Sequence, residues 1–292
     1  MTKKSLFIVL LFSLPFFFVL PVAYGGAAKQ TLWISGASTI QPLAEKIAEI
    51  HTKEFGEKVV VRGGGSAKGI KDGLSGASDI GMVSRALKPE EKVRLKQTTV
   101  GYDAVAIIVS KNNPLTDIKK DALIGLFNGR IKNWGLITTW NMPVVIVSKQ
   151  PGRSTLELFE NYSGLRHFSK SNNKTSFKAD EIITRDAYEI GSNLEAATLV
   201  GGMPNTIGYV SLGTAQSLIR QGMPIKMLTI DGIAATKETV LSGKYPIIRE
   251  LNLVYIRGYT RVNEYINIFL SAQGQKVVEE FGFITAKKEK AK

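Results

Sequence analysis

Three times in this chain a short apolar run ends in a turn of glycine and hydroxyl residues, and helix-like periodicity follows. The first turn is Ser35-Gly36-Ala37-Ser38-Thr39-Ile40, after the run 31–34. The second is Arg62-Gly63-Gly64-Gly65-Ser66-Ala67, after 58–61. The third is Gly152-Arg153-Ser154-Thr155, after 144–147. Short apolar runs bounded by turn residues read as buried strands. Behind the first turn, Ile40, Leu43, Ala44, Ile47 and Ile50 recur near every 3.6 positions, which reads as one face of a helix. Strand, turn and helix repeated in that order argue for a parallel sheet with helices on its faces. In open α/β sheets ligands bind beyond the carboxyl ends of the strands, where these turns would lie.

The remaining chain continues the alternation. The spacing predicts a strand at 79–83, a helix from Pro89 through Leu95, and a long apolar strand at 104–109. It then predicts helices at 118–127, 155–162 and 194–200, with strands at 144–147, 207–210, 225–230 and 251–256. Helices at 262–270 and 274–281 close the chain, and His167–Lys178 reads as a polar, basic loop. The end, Lys287-Lys288-Glu289-Lys290, reads as a solvated tail. No repeat and no low-complexity linker appears, so two α/β lobes would be joined through strands. The expected division is 29–105 plus 251–292 for one lobe and 106–250 for the other, crossing at 104–109 and 251–256. At the front, Lys3 and Lys4 precede an apolar run from Leu6 to Val19 and a small-residue zone to Ala28. That order predicts a secretory signal over 1–28, cleaved near Gly25 to Ala28, with a periplasmic or secreted mature chain.

The third turn carries the chemistry. Ser154 or Thr155 would begin a helix and cap its first N–H groups. A helix N-terminus attracts anions, and Lys149 and Arg153 place two cations beside it. Hydroxyls, amides and a guanidinium together suit a tetrahedral oxyanion. Three such turns at strand ends could converge on one anion, with glycine letting the backbone approach it. A formal net charge of +13 favours anionic partners generally. The chain has no Cys and two His, which supplies poorly any thiolate site, His-based metal site or Ser-His triad. Gly63–Gly69 lacks the Gly-Lys-Ser/Thr ending of a nucleotide loop, and no G-x-S-x-G elbow occurs. Asp79, Asp103 and Asp186 are too scattered for a dyad, so Asp79 and Asp103 read as caps or hinge acceptors. Catalytic residues, metal and cofactor are therefore expected to be none. The Lys and Arg residues form no reading motif for nucleic acid.

Several stretches together resemble periplasmic phosphate-binding proteins of ABC transporters. They are Ile34–Leu43, Val61–Ile70, Asp79-Ile-Gly-Met-Val-Ser-Arg-Ala-Leu87, Ile124–Trp134, Ile207–Leu212, Ile230–Ile233 and Ser242–Pro246, in the family's order. The resemblance implies an α/β, two-lobe periplasmic-binding-protein fold of type II. Its sheets would be central and mixed or parallel, with helices on both faces and a ligand cleft between the lobes. It implies a monomer that captures inorganic phosphate, or a similar tetrahedral oxyanion, and delivers it to a membrane permease. It places ligand contacts at Thr39, Ser66 and Ser84, and over the loop Lys149 to Thr155, including Arg153 and Ser154, with Ser38 and Arg85 adjacent. Lys149 stands where the family usually has Arg, Arg153 where it has Ser, and Ser84 where larger members carry Asp. Other readings stay open at this point: the same fold binding another oxyanion, an adhesion or phosphate-sensing protein without transport, or a phosphate-ester hydrolase.

Overall fold

The computed structural model describes residues 31–168 and 178–286. The expected signal segment 1–28, the tail from Lys287 and residues 169–177 of the basic loop lie outside the described residues. The chain opens as β1 (Leu32–Gly36), α1 (Gln41–Phe55), β2 (Val59–Gly63), α2 (Ser66–Ser75) and β3 (Ile80–Val83). β1 lies between β2 and β3 and runs parallel to both. α2 packs tightly on this sheet because Gly69 has no side chain. A Cβ there would sit 2.7 Å from the Met82 carbonyl oxygen.

A four-residue α3 (Pro89–Lys92) leads into β4 (Leu95–Ser110), sixteen residues long. The second half of the molecule follows. Its elements are β5 (Asp117–Ile118), α4 (Lys120–Phe127), β6 (Val145–Lys149), α5 (Ser154–Ser163), β7 (Tyr188–Ile190), α6 (Asn193–Gly202), β8 (Thr206–Ser211), α7 (Leu212–Arg220), β9 (Ile225–Met227), β10 (Thr229–Ile230) and α8 (Lys237–Leu241). The chain returns through β11 (Ile248–Ile256) and ends in α9 (Asn263–Leu270), α10 (Ala272–Glu280) and β12 (Ile284–Thr285).

The strands form one connected path, β2-β1-β3-β11-β4-β8-β6-β7. β4 holds it together. Its first part, to Ala104, pairs antiparallel with β11, and Val105–Val109 pairs antiparallel with β8. The sheet is therefore mixed, with parallel strands confined to the flanks. Apolar side chains collect on either side of the crossing. Leu32, Ile34, Leu43, Ile47, Leu253 and Phe269 share one core, and Ile107, Phe127, Trp134, Phe159 and Tyr209 share another. Each such side chain contributes roughly 1.5–3 kcal/mol by leaving water. Phe159 stacks on Tyr209, with ring centroids 4.3 Å apart and planes within 5°. That contact fixes α5 over β8.

Several element boundaries differ from the sequence-based expectation. The helix from Pro89 stops at Lys92, and Leu95 is the buried start of β4. The Thr98-Thr99-Val100 run favours strand, but the continuous polar stretch Lys96-Gln97-Thr98-Thr99 hides it from a search for apolar runs. The helix expected from Ile118 begins at Lys120, because Ile118 pairs with Ile230 in the two-stranded β5–β10 ladder. The strand expected over 225–230 is two strands, β9 on β4 and β10 on β5. The returning strand begins at Ile248, not Leu251, so Arg249 and Glu250 lie within the sheet. Among the described residues no helix is long and apolar enough to cross a membrane.

Candidate anion-binding site

The three glycine-hydroxyl turns do meet, and glycine makes the approach possible. Gly65 has φ +89°, a left-handed conformation, and a Cβ on it would lie 2.7 Å from the Gly152 carbonyl oxygen. The start of α2 therefore touches the start of α5 from the other half. The Ala67 amide donates to the Gly152 carbonyl at 3.3 Å, and the Ser154 hydroxyl donates to Ser66 Oγ. Ser66 Oγ also accepts from the Ser84 amide at 3.1 Å. Ser66, Ser84, Ser154, Thr155 and Thr39 are all buried.

The capping expected of Ser154 and Thr155 is not what their hydroxyls do. Arg153 occupies the N-cap position and makes no side-chain cap bond, while Ser154 is the first helical residue. Both hydroxyls are thus released from their own helix and turn into the space between the halves.

That space is organised by a residue outside the turns. Arg249 on β11 is paired in register with Asp103 on β4. Its Nε and Nη2 donate to Asp103 Oδ2 at 2.8 and 2.7 Å. Both side chains are fully buried. The other face of the guanidinium fans out. Nη1 donates to Thr155 Oγ1 at 3.0 Å and Ser84 Oγ at 3.4 Å, and Nη2 donates to Thr39 Oγ1 at 3.2 Å. Asn193, at the start of α6, donates to Thr39 Oγ1 at 3.1 Å. Asp103 Oδ1 accepts from the Gly213 amide of α7 at 3.2 Å. Five helix starts therefore bound one buried polar cluster.

The direction of these bonds decides what the cluster can hold. A hydroxyl has one hydrogen to give and two lone pairs to accept with. Thr39, Ser66, Ser84 and Thr155 all accept from a protein donor. Their own hydrogens remain for a further acceptor. The carboxylate of Asp103 has both oxygens occupied. A ligand entering here meets donors, which suits an oxyanion and penalises a cation or an apolar group.

Among the other expected site residues, Lys149 ends β6 and is 2% exposed, with Nζ donating to the Ser192 carbonyl at 2.6 Å. Burial first, and then the nearby Arg249 charge, hold its amine well below the ordinary lysine range. Arg153 is half-buried along the Gly191 backbone beside Glu195, and burial lowers its pKa against the pull of Glu195. Ser38 is half-buried next to Thr39 and takes no part in the hydrogen-bond network among the described residues. Arg85 turns away from the cluster. It makes two 2.8 Å bonds to Glu91 and an ion pair at 2.8 Å with Glu157 on α5. Those carboxylates, Glu91 foremost, raise its pKa further, so it is a fixed cation spanning the two halves.

Arg249 and Asn193 are absent from the sequence-based set. Arg249-Glu250 interrupts the apolar run and reads as the end of a loop before a strand at Leu251. Extending that strand by its period-2 alternation would have placed Arg249 on it. Asn193 follows Ser192, whose capping box with Glu195 is a helix-start signal visible in sequence.

Comparison with known proteins gives a consistent result. A family model described as a PBP superfamily domain matches residues 21–273. The phosphate-binding protein PstS of Borreliella burgdorferi is 29% identical over 258 residues, covering 87% of this chain and 89% of that one. A solved Clostridium perfringens protein, described as a phosphate ABC transporter substrate-binding protein with bound phosphate, is 30% identical with a TM-score of 0.77. That match covers 88% of this chain and all of the other. An ABC-type phosphate transport receptor from Vibrio cholerae shares the fold at 24% identity and TM-score 0.68, over 87% of this chain and 99% of its own. The chain belongs to the PBP superfamily, with the periplasmic-binding-protein fold, and among its members it is similar to phosphate-binding proteins of the PstS type.

Proposed function

We propose that this chain is an extracytoplasmic solute-binding protein that captures inorganic phosphate between its halves and delivers it to an ABC transporter. The observation that carries this reading is the buried cluster of hydroxyls whose oxygens already accept from protein donors, gathered on Arg249 at five helix starts. Phosphate has four oxygens to accept from such donors. Thr39, Ser66, Ser84 and Thr155 are the proposed hydroxyl contacts, and Ser154 joins them by turning its hydrogen from Ser66 to the ligand, with Arg249 as the buried cation and Lys149 and Arg153 flanking. Ser38 and Arg85 are second-line neighbours in this scheme. The protein binds and does not turn its ligand over, and it works as a monomer.

Export follows from the same reading. Residues 1–28 act as a signal peptide, and the mature chain works in the periplasm or outside the cell. The working lobes are 29–105 plus 251–292 and 106–250, hinged where β4 and β11 cross between them. A membrane permease receives the ligand from the closed form.

Equilibrium dialysis of the purified mature chain with labelled phosphate, and sulfate as competitor, tests the assignment. A single saturable site is expected. Thr39→Val and Ser66→Ala each remove a bond to a charged ligand, costing about 1.5–3 kcal/mol, or roughly ten- to hundredfold in affinity. Phosphate binding that survives both changes intact would overturn the cluster as the site. Hydrolysis of a chromogenic phosphate ester would replace binding with catalysis.

A further inference from the structure

Lys149 is a buried amine in a place where a permanent charge would be costly. Its Nζ has one polar partner among the described residues, the Ser192 carbonyl. The charged groups that face it come from three directions. Arg249 lies on β11 and is already neutralised by Asp103 of β4. Arg153 lies on the turn before α5. Glu195 of α6 is the acidic one, but its Oε2 accepts from the amides of Gly191 and Ser192 at 2.7 and 2.8 Å. Tyr209 of β8, whose phenol is kept protonated by burial, packs against the end of β6 and bonds Ser148 Oγ at 2.9 Å. Two guanidinium groups stand against two carboxylates that are both already engaged, so no spare negative charge is left to hold an ammonium at Nζ.

An entering dianion tips that even balance to the negative side, because it brings two negative charges into the same low-dielectric space. Arginine cannot answer by changing its charge, whereas lysine can. On the reading that the cluster binds a tetrahedral oxyanion, we propose that Lys149 takes up one proton from solvent as the dianion enters and becomes the second cationic donor of the site. The step is R–NH2 plus H⁺ giving R–NH3⁺. The same proton returns to solvent when the ligand leaves. Capture is thereby coupled to pH. The complex binds one proton more than the free protein, so affinity is highest at the acid side and falls as pH rises. The fall approaches about tenfold per pH unit where the coupling is complete.

Titration calorimetry of the mature chain, repeated in buffers of different ionisation enthalpy, reads the proton directly. Two probes are used, sulfate and phosphate, at a pH where both are dianions. The wild-type chain is expected to take up close to one proton per anion bound. Lys149→Met and Lys149→Arg are expected to lose that uptake, the first because no amine remains and the second because its charge is permanent. Nitrogen-15 NMR of labelled lysine side chains gives the same answer without requiring either variant to bind. One Nζ signal, absent from unliganded Lys149→Met, should move from amine to ammonium when sulfate or phosphate is added. Binding heat that does not depend on the buffer, an Nζ signal that stays put, or uptake that persists in Lys149→Met would overturn the proposal while leaving oxyanion binding intact. Absence of any oxyanion binding by the wild-type chain would instead overturn the reading on which it rests.

Discussion

At the scale of single residues the molecule turns on Arg249 and Asp103. Each is a buried charge made tolerable by the other, and removal of one partner strands its mate. Arg249→Ala is expected to destabilise the fold by about 3–5 kcal/mol, seen as a lower urea midpoint. Replacing both, as Arg249→Met with Asp103→Leu, should restore much of that stability while leaving the hydroxyls without their cation. Lys149 has the opposite signature. The unfolded chain carries it protonated at neutral pH, whereas the folded chain holds its pKa well below the ordinary 10.5. Between that lowered pKa and 10.5 folding releases a proton, so this residue's contribution to stability rises with pH across that window. Thermal melts at several pH values check the sign. Without ligand, Lys149→Met should be more stable than the wild type at neutral pH, and the gap should close as pH approaches 10. Four of the cluster hydroxyls were legible in sequence because they sit in recognisable turns, Thr39, Ser66, Ser154 and Thr155, and Ser84 was expected from the resemblance. Arg249 was not, because a charged pair at the mouth of a strand carries the same local signal as a loop. Only its cross-strand partner, 146 positions away, gives it a role.

At the scale of elements, the halves are joined across the cleft by the starts of α2 and α5 and by Arg85. Arg85 leaves the turn after β3, is fixed by Glu91 on α3 and reaches Glu157 on α5. Its neighbour Ser84 faces the cluster, so one dipeptide serves both the site and the contact between halves. Glu157→Gln removes the contact without touching a cluster hydroxyl. It is expected to weaken phosphate binding by about 1 kcal/mol, roughly fivefold, through loss of the closed arrangement, and less in high salt. Calorimetry at two salt concentrations checks this, and an unchanged affinity would remove Arg85–Glu157 from the clamp. The strand–turn–helix units were legible because a short apolar run gives way at a glycine turn to a period near 3.6. The first part of β4 was not, since Lys96 to Thr99 are four polar residues in a row, none of them buried, that a helix face could equally show.

At the scale of the whole molecule, the βα order and the resemblance of its motifs made the fold class readable. The mixed character of the sheet depends on β11 returning antiparallel between β3 and β4, and long-range pairing of that kind leaves no local mark in sequence. A ligand bound between the halves should stabilise the fold as one unit. Phosphate at a hundredfold excess over Kd should add about 2.7 kcal/mol, a rise in Tm of roughly 5–10 °C for a chain of this size. In the proposed site the buried hydroxyls bind phosphate while held in place by Arg249. Titration calorimetry of phosphate into the wild-type chain and into the Arg249→Met, Asp103→Leu double variant tests it most directly, with folding of both verified by urea denaturation. One site per chain is expected in the wild type and at least a hundredfold loss of affinity in a folded double variant, roughly 3 kcal/mol or more. A folded double variant that binds phosphate as tightly as the wild type would contradict it.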